Sequence, residues 1–214
     1  MSRRRRLQAG WKPSAPRTRY ASAIRTSGRG RCKAIANHAE FDHAATPTMT
    51  SLPLTIRQEL PSDAAAIERL HERAFGPGRY ARTAFRLREG APPDPTLSFA
   101  SHVGTFLVGA VRVTPILAGG APALMLGPLT VDPAFEGRGI GAALMNASIE
   151  AARSQGHALI LLVGDAPYYA RFGFKPVKPG QLILPGPADP GRVLALELAE
   201  GVLAQRRGAV TALR

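Results

Sequence analysis

The stretch "LTVDPAFEGRGIGAALMNASIEAARSQG", residues 129–156, joins an apolar run typical of a strand to an alanine-rich run typical of a helix. Between the two runs, Gly137, Gly139 and Gly141 stand at alternate positions. The first-turn N–H groups of a helix lack partners and its dipole favours negative charge there, while glycine lets a ligand approach the backbone closely. We therefore expect this loop to bind a phosphate group, with Arg138 as an adjacent cation.

Three alternatives to this phosphate site have to be weighed for the glycines. A Walker loop would end in Gly-Lys-Ser/Thr, which this loop lacks. The dinucleotide-binding fingerprint fits better, because Gly137, Gly139 and Ala142 satisfy its relaxed form. However, its first glycine should follow the strand directly, and too few residues follow Val163 for a doubly wound sheet. The third alternative, a glycine-rich turn that binds nothing, stays open.

The sequence around the loop predicts alternating helices and strands. It begins with a strand, "LTIRQEL", and a helix, "PSDAAAIERLHERAF", followed by a weaker helix, "YARTAFRLREG". Three strand-like runs, "LSFASHV", "TFLVGAVRVTPIL" and "PALMLGPLTV", are separated by turns and predict an antiparallel meander. After the loop and its helix come a buried strand, "ALILLV", a short helix, "APYYARFGF", and two closing strands, "FKPV" and "RVLALEL".

Charge and patterning separate residues 1–49 from the rest of the chain. The net charge is +13, but eleven of the 28 Lys and Arg and only two of the 15 Asp and Glu lie in residues 1–49. The body therefore has a small positive excess, and we expect no nucleic-acid binding from it. Residues 1–49 have little apolar periodicity, which predicts a disordered basic extension. It is a basic arm, a transit peptide, or the product of a start codon assigned upstream of Met49.

Cysteine and histidine content argue against metal and disulfide chemistry. Cys32 is the single cysteine, so no internal disulfide forms, and a reducing cytoplasm is the expected location. His71, His102 and His157 have no spacing typical of metal ligands, and we predict no metal site. No apolar run approaches the roughly 18 residues of a membrane span, so we expect no membrane association.

Two motifs carry a resemblance to a known family. "LTVDPAFEGRGIGAAL" resembles the acyl-CoA-binding motif of the GNAT superfamily of N-acetyltransferases, which is Gln or Arg, two residues, Gly, one residue, and Gly or Ala. Gly139 and Gly141 match the two small positions, whereas Glu136 replaces the Arg or Gln. "GDAPYYARFGFKPV", residues 164–177, is similar to the second family signature, in which Tyr169 stands four residues before a Gly-Phe pair. The Tyr-Tyr-x-Arg-Phe-Gly-Phe form looks like a subgroup of bacterial N-acetyltransferases.

The resemblance implies a fold and a domain organisation. The expected fold is α/β (α+β): a three-layer arrangement with a mixed, mostly antiparallel central sheet, helices on both faces and splayed central strands. The expected domain covers residues 50–200, with residues 201–214 as a C-terminal tail. A bulge at Gly127-Pro128 would begin the splay.

The resemblance also implies an activity, transfer of an acetyl group from acetyl-CoA, as cosubstrate, to a primary amine by direct attack in a ternary complex. Tyr169 is the expected catalytic residue, a general acid for the CoA thiolate, because a phenol of ordinary pKa near 10 stays protonated. By the same resemblance, the strand and the glycine loop bind the cofactor. The expected cofactor-binding residues are Leu129, Val131, Arg138, Gly139, Ile140, Gly141 and Ala142.

Several points stay open from the sequence. The general base is not identified, and Asp165 either serves as the base or holds the turn before Tyr169. An alternative function is a catalytically weak acyl-CoA-binding module of the same fold, which Glu136 and the missing base favour. The acceptor is a small-molecule or protein amine, expected to contact residues 75–95 and 178–192, where Arg79, Arg82, Arg86 and Arg88 form a cationic set. Because many members of the family it resembles form dimers, a homodimer is an open alternative for this chain.

Overall fold

A computed structural model of the protein describes residues 53–213 except residues 82, 90 and 187. The predictions made for residues 1–49 and for Arg82 therefore lie outside the described residues. The helices are Ala64–Phe75 (α1), Thr83–Arg88 (α2), Ile140–Ser154 (α3) and Ala166–Tyr169 (α4). The strands are Leu54–Gln58 (β1), Phe99–Val103 (β2), Phe106–Ala118 (β3), Ala121–Val131 (β4), Leu159–Val163 (β5), Lys175–Pro176 (β6), Leu182–Ile183 (β7), Val193–Glu197 (β8) and Gly208–Ala212 (β9).

The sheet is mixed and mostly antiparallel, as the family resemblance implied. Its main order is β1-β2-β3-β4-β5-β8-β6, and β4 and β5 are parallel neighbours within it. The predicted meander is confirmed, because β2, β3 and β4 pair as successive antiparallel strands. The β3–β4 turn uses Gly119 and Gly120, both with positive φ, which glycine adopts without steric cost.

Helices cover both faces of this sheet. Side chains alternate between the faces along each strand, so Leu124 of β4 belongs to one core cluster and Met125 to the other. The first cluster includes Leu144 and Met145 of α3, both fully buried, and the second includes Leu87 of α2. α1 also contacts β3 and β4. The sheet therefore forms the middle layer between α3 on one side and α1 with α2 on the other.

The strands β4 and β5 separate after a short paired stretch. Only Leu124 with Ile160 and Met125 with Leu161 are paired between them. The β3–β4 register shifts by one residue between Val111 and Val113. The extra residue belongs to β4 and lies at Gly127-Pro128, where the bulge was predicted. An extra residue bends the strand that carries it, so β4 turns away from β5 just after the last pair.

The C-terminal segment corrects the expected domain boundary. We predicted residues 201–214 to be a tail, but Gly208–Ala212 forms β9, which pairs with β3 at Ile116 to Ala118. β9 also pairs in parallel with β7, a second strand that the sequence did not predict. Both strands are short and have no marked apolar alternation. They are stabilised by pairing with strands distant in sequence.

A buried arginine of β3 connects α1 to the sheet opposite the bulge. Arg112 of β3 lies opposite the bulge, and its side chain is only 8% exposed. Its Nε donates to Glu59 Oε2 at 2.9 Å, and another guanidinium nitrogen donates to Glu68 of α1. Because Arg112 binds both carboxylates, it connects α1 and the residues after β1 to the strand that faces the bulge.

We expect Arg112→Met to lower the free energy of unfolding by about 3 kcal/mol, because it leaves the nearly buried Glu59 carboxylate without its cation. Glu68 is half exposed, so solvent screening limits its share of the loss. Urea denaturation followed by circular dichroism measures the change. The control is Arg153→Met, an exposed residue in the last turn of α3, for which a loss under about 1 kcal/mol is expected. Equal losses in the two variants would contradict the role given to Arg112.

Candidate active site

The glycine loop is fixed at its start and at its end. Asp132 follows β4, and its carboxylate accepts hydrogen bonds from the Ala134 N–H at 3.1 Å and from Arg73 at 3.0 Å. At the other end, Gly139 is the N-cap of α3 with φ +79°, and its carbonyl accepts the first helical hydrogen bond, from Ala143. Gly137 has φ +73°. Both glycines adopt a left-handed conformation that strains other residues, so the loop shape depends on them.

A groove of about 510 Å³ runs along this loop. It contains six of the seven residues predicted to bind the cofactor, and Arg138 is the exception. The residues that line it are Leu129, Val131, Phe135, Glu136, Gly137, Gly139, Ile140, Gly141, Ala142, Tyr168 and Arg171. The structure therefore brings the strand and loop positions together around one depression.

Two arginines lie near the groove in different ways. The Arg138 guanidinium lies over the Phe135 ring, 5.2 Å from its centre. Arg171 lines the groove and stacks on the Tyr168 ring at 4.0 Å. The loop sequence predicts Arg138 as the adjacent cation, but the cation at the groove wall is Arg171, which lies more than 30 residues further along the chain. Only the packing of α4 and the turn after it on the loop brings it there.

Gly141 leaves room for a neighbouring tyrosine, and its backbone has no positive φ that would call for glycine. A Cβ at position 141 would lie 3.0 Å from the Tyr168 hydroxyl oxygen, which is tighter than ordinary contacts. Tyr168 therefore rests directly on the first turn of α3. Its ring closes one side of the groove, a role that its place in the sequence does not indicate.

A second cavity, of about 290 Å³, lies where β4 and β5 separate. Leu129 lines both the groove and this cavity, so the two adjoin at the splay. The wall comes from α1, α2, the ends of β4 and β5, α4 with the turn before it, and the segment before β8. It is formed by Phe75, Thr83, Phe85, Met125, Leu126, Gly127, Pro128, Leu129, Leu162, Val163, Gly164, Asp165, Tyr169, Ala188, Asp189 and Arg192. Both segments expected to contact the acceptor, residues 75–95 and 178–192, contribute to it.

Tyr169 lines this cavity, and aromatic neighbours surround its ring. Its ring packs edge-on against Tyr168 at 4.8 Å and against Phe174 at 6.0 Å. Burial, with smaller contributions from Tyr168 and Asp165, raises the pKa of Tyr169 to about 12, while Arg192 acts in the opposite direction. The phenol is therefore protonated throughout the neutral range, as a proton donor must be.

Gly164 provides the space that the Tyr169 ring occupies. A Cβ at position 164 would overlap ring carbons of Tyr169. Gly164 is buried, and its N–H donates to the Arg192 carbonyl at 2.9 Å. This glycine was not among the residues predicted to form the site. A glycine that follows a fully apolar strand was the available signal, since glycine often marks a close approach.

Asp165 holds the turn before Tyr169. Its carbonyl accepts from the N–H groups of Tyr168 and Tyr169, and its carboxylate forms an ion pair with Arg192 at 3.1 Å. The side chain makes no capping hydrogen bond to α4. Of these contacts, the ion pair with Arg192 is the one that involves the carboxylate, and it links the turn to the segment before β8. Because both ion-pair partners are largely exposed, their contribution to stability is under about 1 kcal/mol.

His71, His102, His157 and Arg79 line neither of the two cavities. His71 is fully buried between Phe75 and Phe85. Arg79 of the predicted cationic set donates to the Tyr80 hydroxyl at 2.7 Å and lines neither cavity. Within residues 53–213, gaps excepted, no group of three or more His, Cys, Asp or Glu residues has a metal-binding arrangement. Over the same part of the chain, no helix has the length and apolarity needed to cross a bilayer.

Comparisons with known proteins agree with this geometry. Residues 100–176 match the family described as "Acetyltransferase (GNAT) domain". The uncharacterized N-acetyltransferase YjhQ of Escherichia coli K12 is 34% identical over 119 residues, which are 54% of this chain and 66%, just under two thirds, of YjhQ. The uncharacterized N-acetyltransferase YhbS of the same strain is 30% identical over 124 residues, 57% of this chain and 74% of YhbS.

Two solved structures share the fold along most of their length. The crystal structure of Escherichia coli YhbS in complex with CoA has a TM-score of 0.64 and 25% identity, covering 80% of this chain and 94% of that one. A GNAT family acetyltransferase from Brucella melitensis in complex with acetyl-CoA has a TM-score of 0.57 and 28% identity, covering 76% and 97%.

We expect Gly164→Ala to lower the free energy of unfolding by about 1–3 kcal/mol, because the added methyl group displaces the Tyr169 ring. In a Tyr169→Ala background the same change should cost at least about 1 kcal/mol less, since the ring is gone. Urea denaturation of the four proteins measures this coupling. Gly78→Ala is the control, because nothing lies within 4 Å of a Cβ there. Additive losses in the double variant would remove the close contact as the cause.

Proposed function

The chain belongs to the GNAT family of N-acetyltransferases, and we propose that it moves an acetyl group from acetyl-CoA to a primary amine by direct attack in a ternary complex. The observation that carries this proposal is the junction of the loop groove and the Tyr169 cavity at Leu129, in the gap between β4 and β5. A cofactor lying in the groove would present its thioester where the two cavities meet. The relatives with CoA or acetyl-CoA bound support acetyl-CoA as the cosubstrate.

The pyrophosphate of CoA would bind at the N-terminus of α3. Backbone N–H groups from Arg138 through Ala142 are the proposed donors, because the first turn of a helix leaves its N–H groups unpaired. Arg171 at the groove wall supplies a positive charge. Glu136 also lines the groove, and its negative charge would repel that of the pyrophosphate. Since Glu136 is exposed, solvent and salt reduce that repulsion.

The pantetheine arm would lie along the last residues of β4. Leu129 pairs with Val111 and Val131 with Gly109 on the β3 side. On the opposite edge, the β4–β5 pairing ends at Met125. An unpaired strand edge offers N–H and C=O groups to an extended partner. We therefore keep Leu129 and Val131 as the proposed backbone contacts of the arm.

The proposed chemistry needs positioning, an oxyanion donor and one acid. The neutral amine attacks the thioester carbonyl carbon, and the new C–N bond gives a tetrahedral oxyanion that a backbone N–H of β4 stabilises. As the C–S bond breaks, the thiolate takes the proton of the Tyr169 hydroxyl, and the amine nitrogen loses its proton to water. The phenolate then recovers a proton from solvent. Because the Asp165 carboxylate is paired with Arg192, we assign the amine proton to water rather than to Asp165.

We expect Tyr169→Phe to lower kcat at least about tenfold, because the phenol is the proton donor to the thiolate. The Kd for CoA should stay nearly unchanged. Thiol release with a panel of primary amines gives kcat, and isothermal titration calorimetry gives the Kd. Because the pKa of Tyr169 is raised to about 12, the wild-type kcat should show no loss from phenol ionisation at pH 9.

Tyr168→Phe is the matched control, since Tyr168 lines the groove and not the Tyr169 cavity. It should alter CoA affinity more than kcat. Unchanged turnover in Tyr169→Phe would withdraw the acid role. Binding of CoA without turnover of any amine would instead favour an acyl-CoA-binding module.

We expect Gly139→Glu to abolish measurable CoA binding, whereas Gly139→Gln retains a weakened affinity. Both side chains have the same size and impose the same backbone strain at φ +79°, so the comparison isolates the negative charge. A carboxylate at the helix N-terminus would occupy the place of the pyrophosphate and repel it. Calorimetric titration with CoA at two salt concentrations measures both effects. Equal Kd values for the two variants would rule out the pyrophosphate at this position.

A further inference from the structure

The cavity beside Tyr169 is small. Its volume of about 290 Å³ lies at the lower limit of ligand pockets, which run from roughly 300 to 1,000 Å³. It adjoins the groove at Leu129, so an occupant would meet the thioester end of a bound cofactor. A ligand that fills this cavity is therefore a small molecule, whose reacting group points towards Tyr169.

Its wall combines polar groups with aliphatic and aromatic side chains, and the aromatic ones are Phe75, Phe85 and Tyr169. Phe75 at the end of α1 and Phe85 of α2 line it together with Leu126, Pro128 and Leu162. Apolar and aromatic walls bind an apolar ligand body by removing its surface from water, and rings add edge-on or offset contacts.

The Phe75 and Phe85 rings pack against other aromatic rings of the protein. The fully buried His71 has its ring centre 6.1 Å from that of Phe75 and 5.9 Å, edge-on, from that of Phe85. Tyr80 packs edge-on against Phe85 from another side, at 5.9 Å. A wall fixed in this way loses little conformational freedom when a ligand binds, which favours affinity.

The described charged residues that line the cavity are two carboxylates and one guanidinium. Among its described lining residues, the charged ones are Asp165, Asp189 and Arg192, and Arg192 is already paired with Asp165. The Asp189 carboxylate accepts one backbone hydrogen bond, from Gly191 at 2.9 Å, and forms no ion pair within the described part of the chain. A negative rim attracts an ammonium ion and repels a carboxylate.

From the two phenylalanine rings in the wall and the Asp189 carboxylate at the rim, we propose that the acceptor is a small primary amine on an aromatic body that carries no carboxylate. This inference rests on the proposed acetyl transfer and names the substrate class of that site. The aromatic body occupies the space beside Phe75 and Phe85. The ammonium group enters past Asp189, loses a proton to water and attacks the thioester next to Tyr169.

The first experiment compares three amines with the full chain and saturating acetyl-CoA at pH 8.5, using thiol release. The probes are 2-phenylethylamine, L-phenylalanine, which differs from it by one carboxylate, and spermidine, which has no aromatic body. We expect kcat/KM for 2-phenylethylamine to exceed that for each of the other two at least tenfold. A higher kcat/KM for L-phenylalanine or spermidine would overturn the inference while leaving the proposed function intact.

The second experiment tests the wall and the rim separately. Phe85→Ala should raise the KM for 2-phenylethylamine about tenfold with the CoA Kd unchanged, and Phe85→Leu should recover most of the loss. Asp189→Asn keeps the acceptor oxygen for Gly191 and should reduce the preference for 2-phenylethylamine over L-phenylalanine several-fold. Phe106→Ala is the control, because Phe106 is 72% exposed and lines neither cavity.

The outcomes separate the two proposals. An unchanged KM in Phe85→Ala, or an unchanged preference in Asp189→Asn, would overturn the inference about the acceptor. A wild-type protein that neither binds CoA nor acetylates any of the three amines would overturn the proposed function itself.

Discussion

The strands β4 and β5 pair at only two positions before a bulge at Gly127-Pro128 turns β4 away. A parallel pair that continued to the end of both strands would close the sheet and leave no room for a ligand. Because pairing stops at Met125, the far edge of β4 lies open along Leu129 and Val131. The groove at the glycine loop and the cavity at Tyr169 adjoin in that gap. The buried Arg112 of β3, opposite the bulge, connects α1 to the strand next to β4.

The position of Tyr169 follows from several weak constraints acting together. Gly164 leaves space for its ring, and Asp165 holds the turn through backbone hydrogen bonds and an ion pair with Arg192. Each of these contacts is small, but together they place one phenol at the wall of the cavity. The burial that fixes the ring also raises the pKa of Tyr169, so its packing and its protonation state have the same origin.

The groove and the cavity differ in their electrostatics. The groove has the helix N-terminus and Arg171, which suit an anionic ligand, although Glu136 opposes it. The cavity has three aromatic rings in its wall and the Asp189 carboxylate at its rim. This difference is the basis for proposing a polyanionic cosubstrate on one side and an aromatic amine on the other. The gap between β4 and β5 is where such ligands would meet.

The sequence by itself determined the features that depend on neighbouring residues: the order of most elements and the glycine loop before α3. The bulge at Gly127-Pro128 follows from the family resemblance, and the β3–β4 register confirms it. Helix starts, turns and strand alternation are local in origin, so a single sequence records them. Only the tertiary structure decided that Arg171 rather than Arg138 lines the groove, that residues 208–212 form a strand, and that Gly164 is needed for its small size. Those features depend on contacts between residues far apart in the chain, and no local pattern encodes which distant surfaces will meet.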